Sequence, residues 1–123
     1  MRLAVLLAST WLAICAAAQA QTPPAGDPAA GEALFYDRCA MCHQDDGGGQ
    51  GPSLVGLYGR RAGSAQGFAY SAALKGSGKT WTGAELDGFL TNPGRAVPGT
   101  AMPILTPDAK ERADLISFFA RGH

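Results

Sequence analysis

Two cysteines three positions apart, with a histidine directly after the second, are the residues of this chain best suited to chemistry. They form Cys39-Ala40-Met41-Cys42-His43. On one helical turn, each thiol can add to one vinyl group of a porphyrin, and the imidazole that follows can reach the iron. The spacing therefore predicts covalent attachment of one c-type haem, with His43 as an iron ligand.

Three other interpretations of this motif fit the surrounding sequence less well. A thioredoxin-like Cys-x-x-Cys follows a strand, whereas a helical pattern precedes Cys39 and a glycine-rich loop follows His43. A structural zinc site needs four ligands, usually cysteine or histidine, and outside the motif the only such residues are Cys15 and His123. A disulfide between the two motif cysteines would close a loop too short to stabilise the fold through chain entropy.

A second axial ligand could come from Met41, Met102 or His123. Met41 lies between the two anchoring cysteines, so its side chain cannot reach the other face of the porphyrin. His123 follows the last helical segment, at a chain end where disorder is common. Met102 lies in Pro98-Gly99-Thr100-Ala101-Met102-Pro103, a non-helical segment with proline at both ends that restricts where the thioether can move. The sequence favours Met102, with His123 as the alternative.

The first residues have the pattern of a secretory signal. Met1-Arg2 precedes an apolar run over residues 3–18 that ends in Ala18-Gln19-Ala20, an Ala-x-Ala cleavage pattern. This pattern predicts a signal peptide over residues 1–20, a flexible leader over residues 21–26, one domain over residues 27–123, and a periplasmic location. An uncleaved membrane anchor and lipid attachment at Cys15 are the alternatives.

The charge balance excludes a polycation that seeks nucleic acid, because ten basic residues face ten acidic ones. Apolar residues recur at helical spacing, and no alternating pattern of useful length appears. Capping and stop residues delimit the helical segments, and Thr82-Gly83-Ala84-Glu85 has the pattern of a capping box. The sequence predicts an all-α fold whose helices begin at Asp27-Pro28, Ser71, Thr82 and Thr106-Pro107-Asp108, the third of them ending at Asn92-Pro93.

The chain resembles the class I, mitochondrial-type cytochromes c over residues 26–121. Besides the haem motif, the resemblance rests on Gly51-Pro52-Ser53-Leu54, Gly56-Leu57-Tyr58-Gly59-Arg60, Phe68-Ala69-Tyr70-Ser71, Trp81, Asn92-Pro93, Pro98-Gly99-Thr100-Ala101-Met102 and Glu111-Arg112-Ala113-Asp114-Leu115-Ile116. It implies the cytochrome c fold, with three to five helices around one covalent haem. It also implies that the first and last helices cross at Gly31, where Phe35 packs against Leu115 and Phe118.

The resemblance also implies roles for residues around the haem. The carbonyl of Pro52 would accept a hydrogen bond from the His43 imidazole and so fix its orientation. Four further residues match positions near the haem propionates, whose burial without hydrogen-bond donors would be costly: Arg60, Tyr70, Trp81 and Thr100.

The chain departs from the family pattern at several positions. Phe89 stands where a tyrosine usually donates to the methionine sulfur, and Leu74 where an asparagine usually holds an internal water. The family's ring of lysines around the haem edge is reduced to Lys75, Lys79 and Lys110, with Arg38 and Arg95 near the expected positions.

These observations predict a monomeric, soluble, periplasmic one-electron carrier that is not an enzyme and has no catalytic residue. Its expected partners are a quinol-oxidising complex or dehydrogenase as donor and a terminal oxidase or reductase as acceptor. A small, electrostatically biased interface would suit rapid exchange between them. The alternatives are a cytochrome subunit dedicated to one periplasmic dehydrogenase, and a haem sensor or peroxidase-like protein with a displaceable ligand.

Overall fold

Five helices joined by irregular segments form the fold of residues 25–123, the part of the chain that the computed structural model describes. They are α1 (Pro28–Arg38), α2 (Ala72–Lys75), α3 (Gly83–Thr91), α4 (Pro93–Ala96) and α5 (Ala109–Ala120). Within these residues the only β-type pairing is an isolated bridge between Arg61 and Thr80. The all-α prediction is confirmed. The predicted signal peptide, residues 1–20, and the leader up to residue 24 lie outside the described residues.

Side-chain caps begin the helices largely where the sequence places them. Asp27 Oδ1 accepts from the Ala29 N–H at 2.9 Å, with proline in the first position of α1. Thr82 Oγ1 accepts from the Glu85 N–H at 3.3 Å, but the Glu85 carboxylate lies 2.6 Å from Lys79 Nζ. Only the Thr82 half of the capping box therefore forms, because the Glu85 carboxylate pairs with the charged lysine instead.

Asn92 ends α3 and also begins α4, because its Oδ1 accepts from the Arg95 N–H at 3.0 Å. The predicted stop at Asn92-Pro93 is thus followed at once by a short helix. None of the helices in residues 25–123 is long and apolar enough to cross a membrane.

The last helix begins later than the sequence suggested. Asp108, not Thr106, caps α5 by accepting from the Glu111 N–H at 2.9 Å. Thr106 instead donates its N–H to the Leu90 carbonyl at 2.8 Å, and its own carbonyl accepts from the buried Arg112 guanidinium at 3.0 Å. These two hydrogen bonds of Thr106 connect α5 to α3.

Helices α1 and α5 cross in close contact, and this crossing helps to position the site. A Cβ on Gly31 would lie 2.1 Å from the Asp114 carbonyl oxygen, so only glycine permits this approach. Phe35 is fully buried beside the crossing, with its ring centroid 5.6 Å from that of Phe118 and 6.1 Å from that of Phe119. Burying an aromatic side chain of this size contributes about 1.5–3 kcal/mol.

Polar contacts hold both ends of this crossing. The N–H groups of Gly26 and Asp27 donate to Ser117 Oγ at 3.0 Å and Asp114 Oδ1 at 2.8 Å. Lys110 Nζ donates to the other oxygen of Asp114 at 2.7 Å. The hydrogen bonds from Lys110 and from the Asp27 backbone hold the pKa of Asp114 below its usual value, against the opposing effect of burial.

Because the folded pKa of Asp114 lies below the unfolded value of about 3.9, its ionised form stabilises the fold above roughly pH 4. This contribution is lost as the pH falls through the lower folded pKa. We expect Asp114→Asn to lower the free energy of unfolding at pH 7 and to reduce the loss of stability on acidification. Urea denaturation at pH 7 and about pH 2.5 measures both effects. An equal acid-induced loss in both proteins would contradict the prediction.

Candidate haem site

A cavity of about 420 Å³ opens between the end of α1, the loop that follows it, the apolar faces of α3 and α5, and the segment before α5. Its volume falls within the roughly 300–1,000 Å³ typical of ligand pockets. Every site residue expected from the sequence lines this one cavity: Cys39, Cys42, His43, Pro52, Arg60, Tyr70, Trp81, Thr100 and Met102.

The His43 imidazole is oriented by the loop that follows it. Nδ1 lies 2.8 Å from the Pro52 carbonyl oxygen, which can only accept a hydrogen bond, so Nδ1 carries the proton. In the neutral ring, Nε2 is then left with a free lone pair, the state that binds a metal. A Cβ on Gly51 would lie 2.5 Å from His43 Cε1, so the glycine leaves room for the ring.

The two cysteines lie on a helical turn that continues past α1. The N–H groups of Cys42 and His43 both donate to the Cys39 carbonyl, at 3.1 and 2.9 Å. Both thiols are half-buried and free, so neither is tied up in a disulfide. Burial raises the pKa of the Cys39 thiol, while the positive charge of Arg38 opposes the shift. The turn can therefore present two free thiols and an imidazole to one flat cofactor.

Arg60 is held in the cavity wall by the main chain. Its guanidinium donates to the carbonyls of Val55 at 2.9 Å and Ser53 at 3.0 Å. Backbone bonds join it to Trp81, which donates its N–H to the Arg60 carbonyl at 2.9 Å. The hydroxyl oxygen of Tyr70 accepts from the Ala65 N–H at 3.3 Å. This part of the wall offers one fixed cation, a hydroxyl proton and an indole to an anionic group.

Met102 lines the cavity from a segment that is fixed at both ends. Thr100 donates its N–H to the Val97 carbonyl at 3.0 Å, after a tight turn in which Gly99 has φ +92°. The Thr100 hydroxyl oxygen lies 3.5 Å from the Met102 backbone nitrogen. The thioether therefore sits on a loop with little freedom, as the flanking prolines predicted.

The two rival ligands lie elsewhere. The Met41 side chain is 82% exposed and does not line the cavity. The His123 ring packs edge-on against Phe35 and tilted against Phe118, with both centroid distances 4.4 Å. Its Nε2 lies 3.6 Å from Asp45 Oδ1. His123 thus packs behind the α1–α5 crossing and does not line the cavity.

The cavity lining is hydrocarbon at the two positions that depart from the family pattern. Phe89 and Leu74 both line the cavity, and the Phe89 ring packs edge-on against Trp81 at a centroid distance of 4.9 Å. Neither side chain can donate a hydrogen bond to a thioether or hold a water.

Helical spacing alone predicts ordinary core packing for several residues that also line the cavity. They lie on the apolar faces of α3 and α5, which border the cavity as well as the core: Leu86, Leu90, Leu115 and Phe119. Gln50, Phe68 and Ile104 also line the cavity and were not expected. Ile104 could have been found from its position two residues after Met102.

The family model described as Cytochrome c matches residues 28–121, which include every residue of the site. The chain belongs to the cytochrome c family. Cytochrome c of Chlamydomonas reinhardtii is 46% identical over 103 residues, covering 80% of this chain and 92% of that protein. Cytochrome c of Theileria annulata is 46% identical over 99 residues, covering 77% and 85%.

A solved structure agrees with this cytochrome c assignment in fold. Cytochrome cH from Methylobacterium extorquens is 43% identical, with a TM-score of 0.74 over 78% of this chain and 99% of that one. The predicted class I cytochrome c resemblance is confirmed. Cytochromes c are electron carriers that bind haem c covalently, and the free thiols, the imidazole lone pair and the apolar cavity fit that group.

Proposed function

We propose that this chain is a soluble, periplasmic one-electron carrier with a single haem c, attached through Cys39 and Cys42 and ligated by His43 and Met102. The observation that supports it best is that His43, both thiols and Met102 line one cavity, and that Met102 carries the one thioether in its lining among residues 25–123. The Nδ1 contact with Pro52 leaves the His43 Nε2 lone pair free. The haem would supply reversible one-electron chemistry between two iron oxidation states.

The main chain would hold the two proposed iron ligands, His43 and Met102, in place in both oxidation states. The Pro52 carbonyl holds the His43 ring, and the bonds of Thr100 and Thr106 hold the Met102 segment. With His43 and Met102 both holding the iron, no position on it would remain for a substrate. The hydrocarbon side chains of Leu74 and Phe89 would keep water away from the bound haem, which would lower the reorganisation that accompanies a change of charge.

Polar residues of the cavity wall would receive the haem propionates. Arg60 supplies a positive charge that its carbonyl partners do not neutralise, and Tyr70, Trp81 and Thr100 supply donors nearby. Pairing with these groups offsets the cost of burying carboxylates.

Family membership and the pattern of the first residues support the proposed partners and location. A quinol-oxidising complex or dehydrogenase would donate electrons, and a terminal oxidase or reductase would accept them. The apolar run over residues 3–18 and the Ala18-Gln19-Ala20 pattern support export to the periplasm.

A potentiometric titration of the haem-loaded protein, followed through the visible spectrum, tests the proposal. We expect a covalent haem that resists acid-acetone extraction, the weak red absorption of ferric iron bound to sulfur, and a positive reduction potential. A negative potential without the red band would indicate two nitrogen ligands and remove Met102 from the site. Ready binding of carbon monoxide would favour a sensor or peroxidase-like role instead.

A further inference from the structure

A run of exposed apolar residues borders one side of the cavity. Residues 101–105 are all apolar, and all but the half-buried Met102 are exposed, with Ile104 51% and Leu105 52% accessible. Met41 is 82% accessible and lies in sequence between Cys39 and Cys42, which both line the cavity. We call this surface the rim patch: Met41, Ala101, Pro103, Ile104 and Leu105. Grouped apolar side chains of this kind, unlike single ones, mark interaction sites.

The rim patch carries almost no free charge. Residues 39–43 and 97–107 contain no Asp, Glu, Lys or Arg. Arg38 and Arg60 are the two cations that line the cavity. Arg38 forms a two-pronged ion pair with Glu111, at 2.7 and 2.9 Å, and Arg60 is held by two carbonyls.

Most of the cations expected around the haem edge form ion pairs with carboxylates of this chain. Lys79 pairs with Glu85 at 2.6 Å and Lys110 with Asp114 at 2.7 Å. Lys75 and Arg95 have exposed positions but do not line the cavity. A strongly acidic partner face would therefore have to desolvate its carboxylates against hydrocarbon, which is unfavourable.

We propose that the redox partner docks on the rim patch through an uncharged, apolar face of its own, and that apolar burial rather than charge steering governs the association. This replaces the electrostatic bias expected from the sequence. The inference rests on the proposed function, because attachment at Cys39 and Cys42 brings one edge of the haem next to Met41. Cores of protein interfaces are depleted of charge and enriched in methionine, as this surface is.

Electron self-exchange between oxidised and reduced copies tests this directly, since a second copy carries an uncharged apolar face of the required kind. The rate is measured by NMR on the haem-loaded protein from about 10 mM to about 500 mM salt, a range over which screening changes strongly. We expect the wild-type rate to change by less than about twofold. Met41→Lys or Ile104→Lys places one positive charge on each docking face and should slow exchange about tenfold at low salt, with recovery at high salt.

Ala84→Lys is the matched control, because it adds the same charge at an exposed position of α3 that does not line the cavity. We expect it to leave the exchange rate unchanged. Leu105→Lys serves as a second rim variant if either of the others fails to retain haem.

Three outcomes would overturn the docking proposal while the red ferric band stays intact. They are a wild-type rate that changes tenfold or more with salt, rim variants that behave like Ala84→Lys, and a stable dimer in sedimentation. Absence of haem or of the red band in the wild-type protein would instead overturn the proposed function, and the docking proposal with it.

Discussion

Replacing Met102 by alanine is expected to leave the haem covalently bound, abolish the red ferric absorption band and lower the reduction potential. A thioether favours reduced iron, and axial ligands tune haem potentials over about 0.8 V, so a fall of roughly 100 mV or more is expected. The open position should also allow carbon monoxide to bind. Potentiometry and visible spectra of the purified variant measure all three effects.

Met41→Ala is the matched control for this prediction. It removes the same side chain from a position that is 82% exposed and outside the cavity, so spectrum and potential should match the wild type. A Met102→Ala protein that keeps the red band would show that another sulfur ligates the iron. An unchanged potential would likewise exclude Met102 as a ligand.

Replacing Gly31 by valine should destabilise the fold by about 3 kcal/mol or more. Even the first added carbon would lie 2.1 Å from the Asp114 carbonyl oxygen and 2.5 Å from its carbonyl carbon. These are backbone atoms of α5, so the helices must move apart and expose the buried Phe35 beside them. The midpoint of urea denaturation at 25 °C measures the loss.

Gly88→Ala separates this close contact from a general effect of glycine in helices. Gly88 is exposed in α3, and an added Cβ would meet no atom within 4 Å. Alanine there should therefore stabilise the protein by up to about 1 kcal/mol, through helix propensity. Equal destabilisation at both positions would contradict the proposed role of the α1–α5 crossing.

Local signals in the sequence predicted much of this fold and site. The Asp27-Pro28 start of α1 and the Cys39-to-His43 turn each depend on residues within one helical turn, which spacing alone reveals. The resemblance supplied the longer-range pairing of His43 with Pro52. It also led to the expectation of the α1–α5 crossing at Gly31, which the structure places there.

Contacts between distant segments account for what the sequence did not reveal. Thr106 was expected to begin α5, but a backbone bond to Leu90 holds it against α3. Arg38 was counted among the cations of the haem edge, yet its partner Glu111 lies 73 positions away. No pattern of neighbouring residues encodes such pairings, so the uncharged character of the rim patch emerges only when the chain is folded.

The α1–α5 crossing joins the first and last helices of the described chain, so it cannot form before residues 109–120 are present. Without α5, the Phe35 ring would lose its contacts with Phe118 and Phe119. The turn that carries Cys39 and Cys42 would then extend from a helix without its main packing partner.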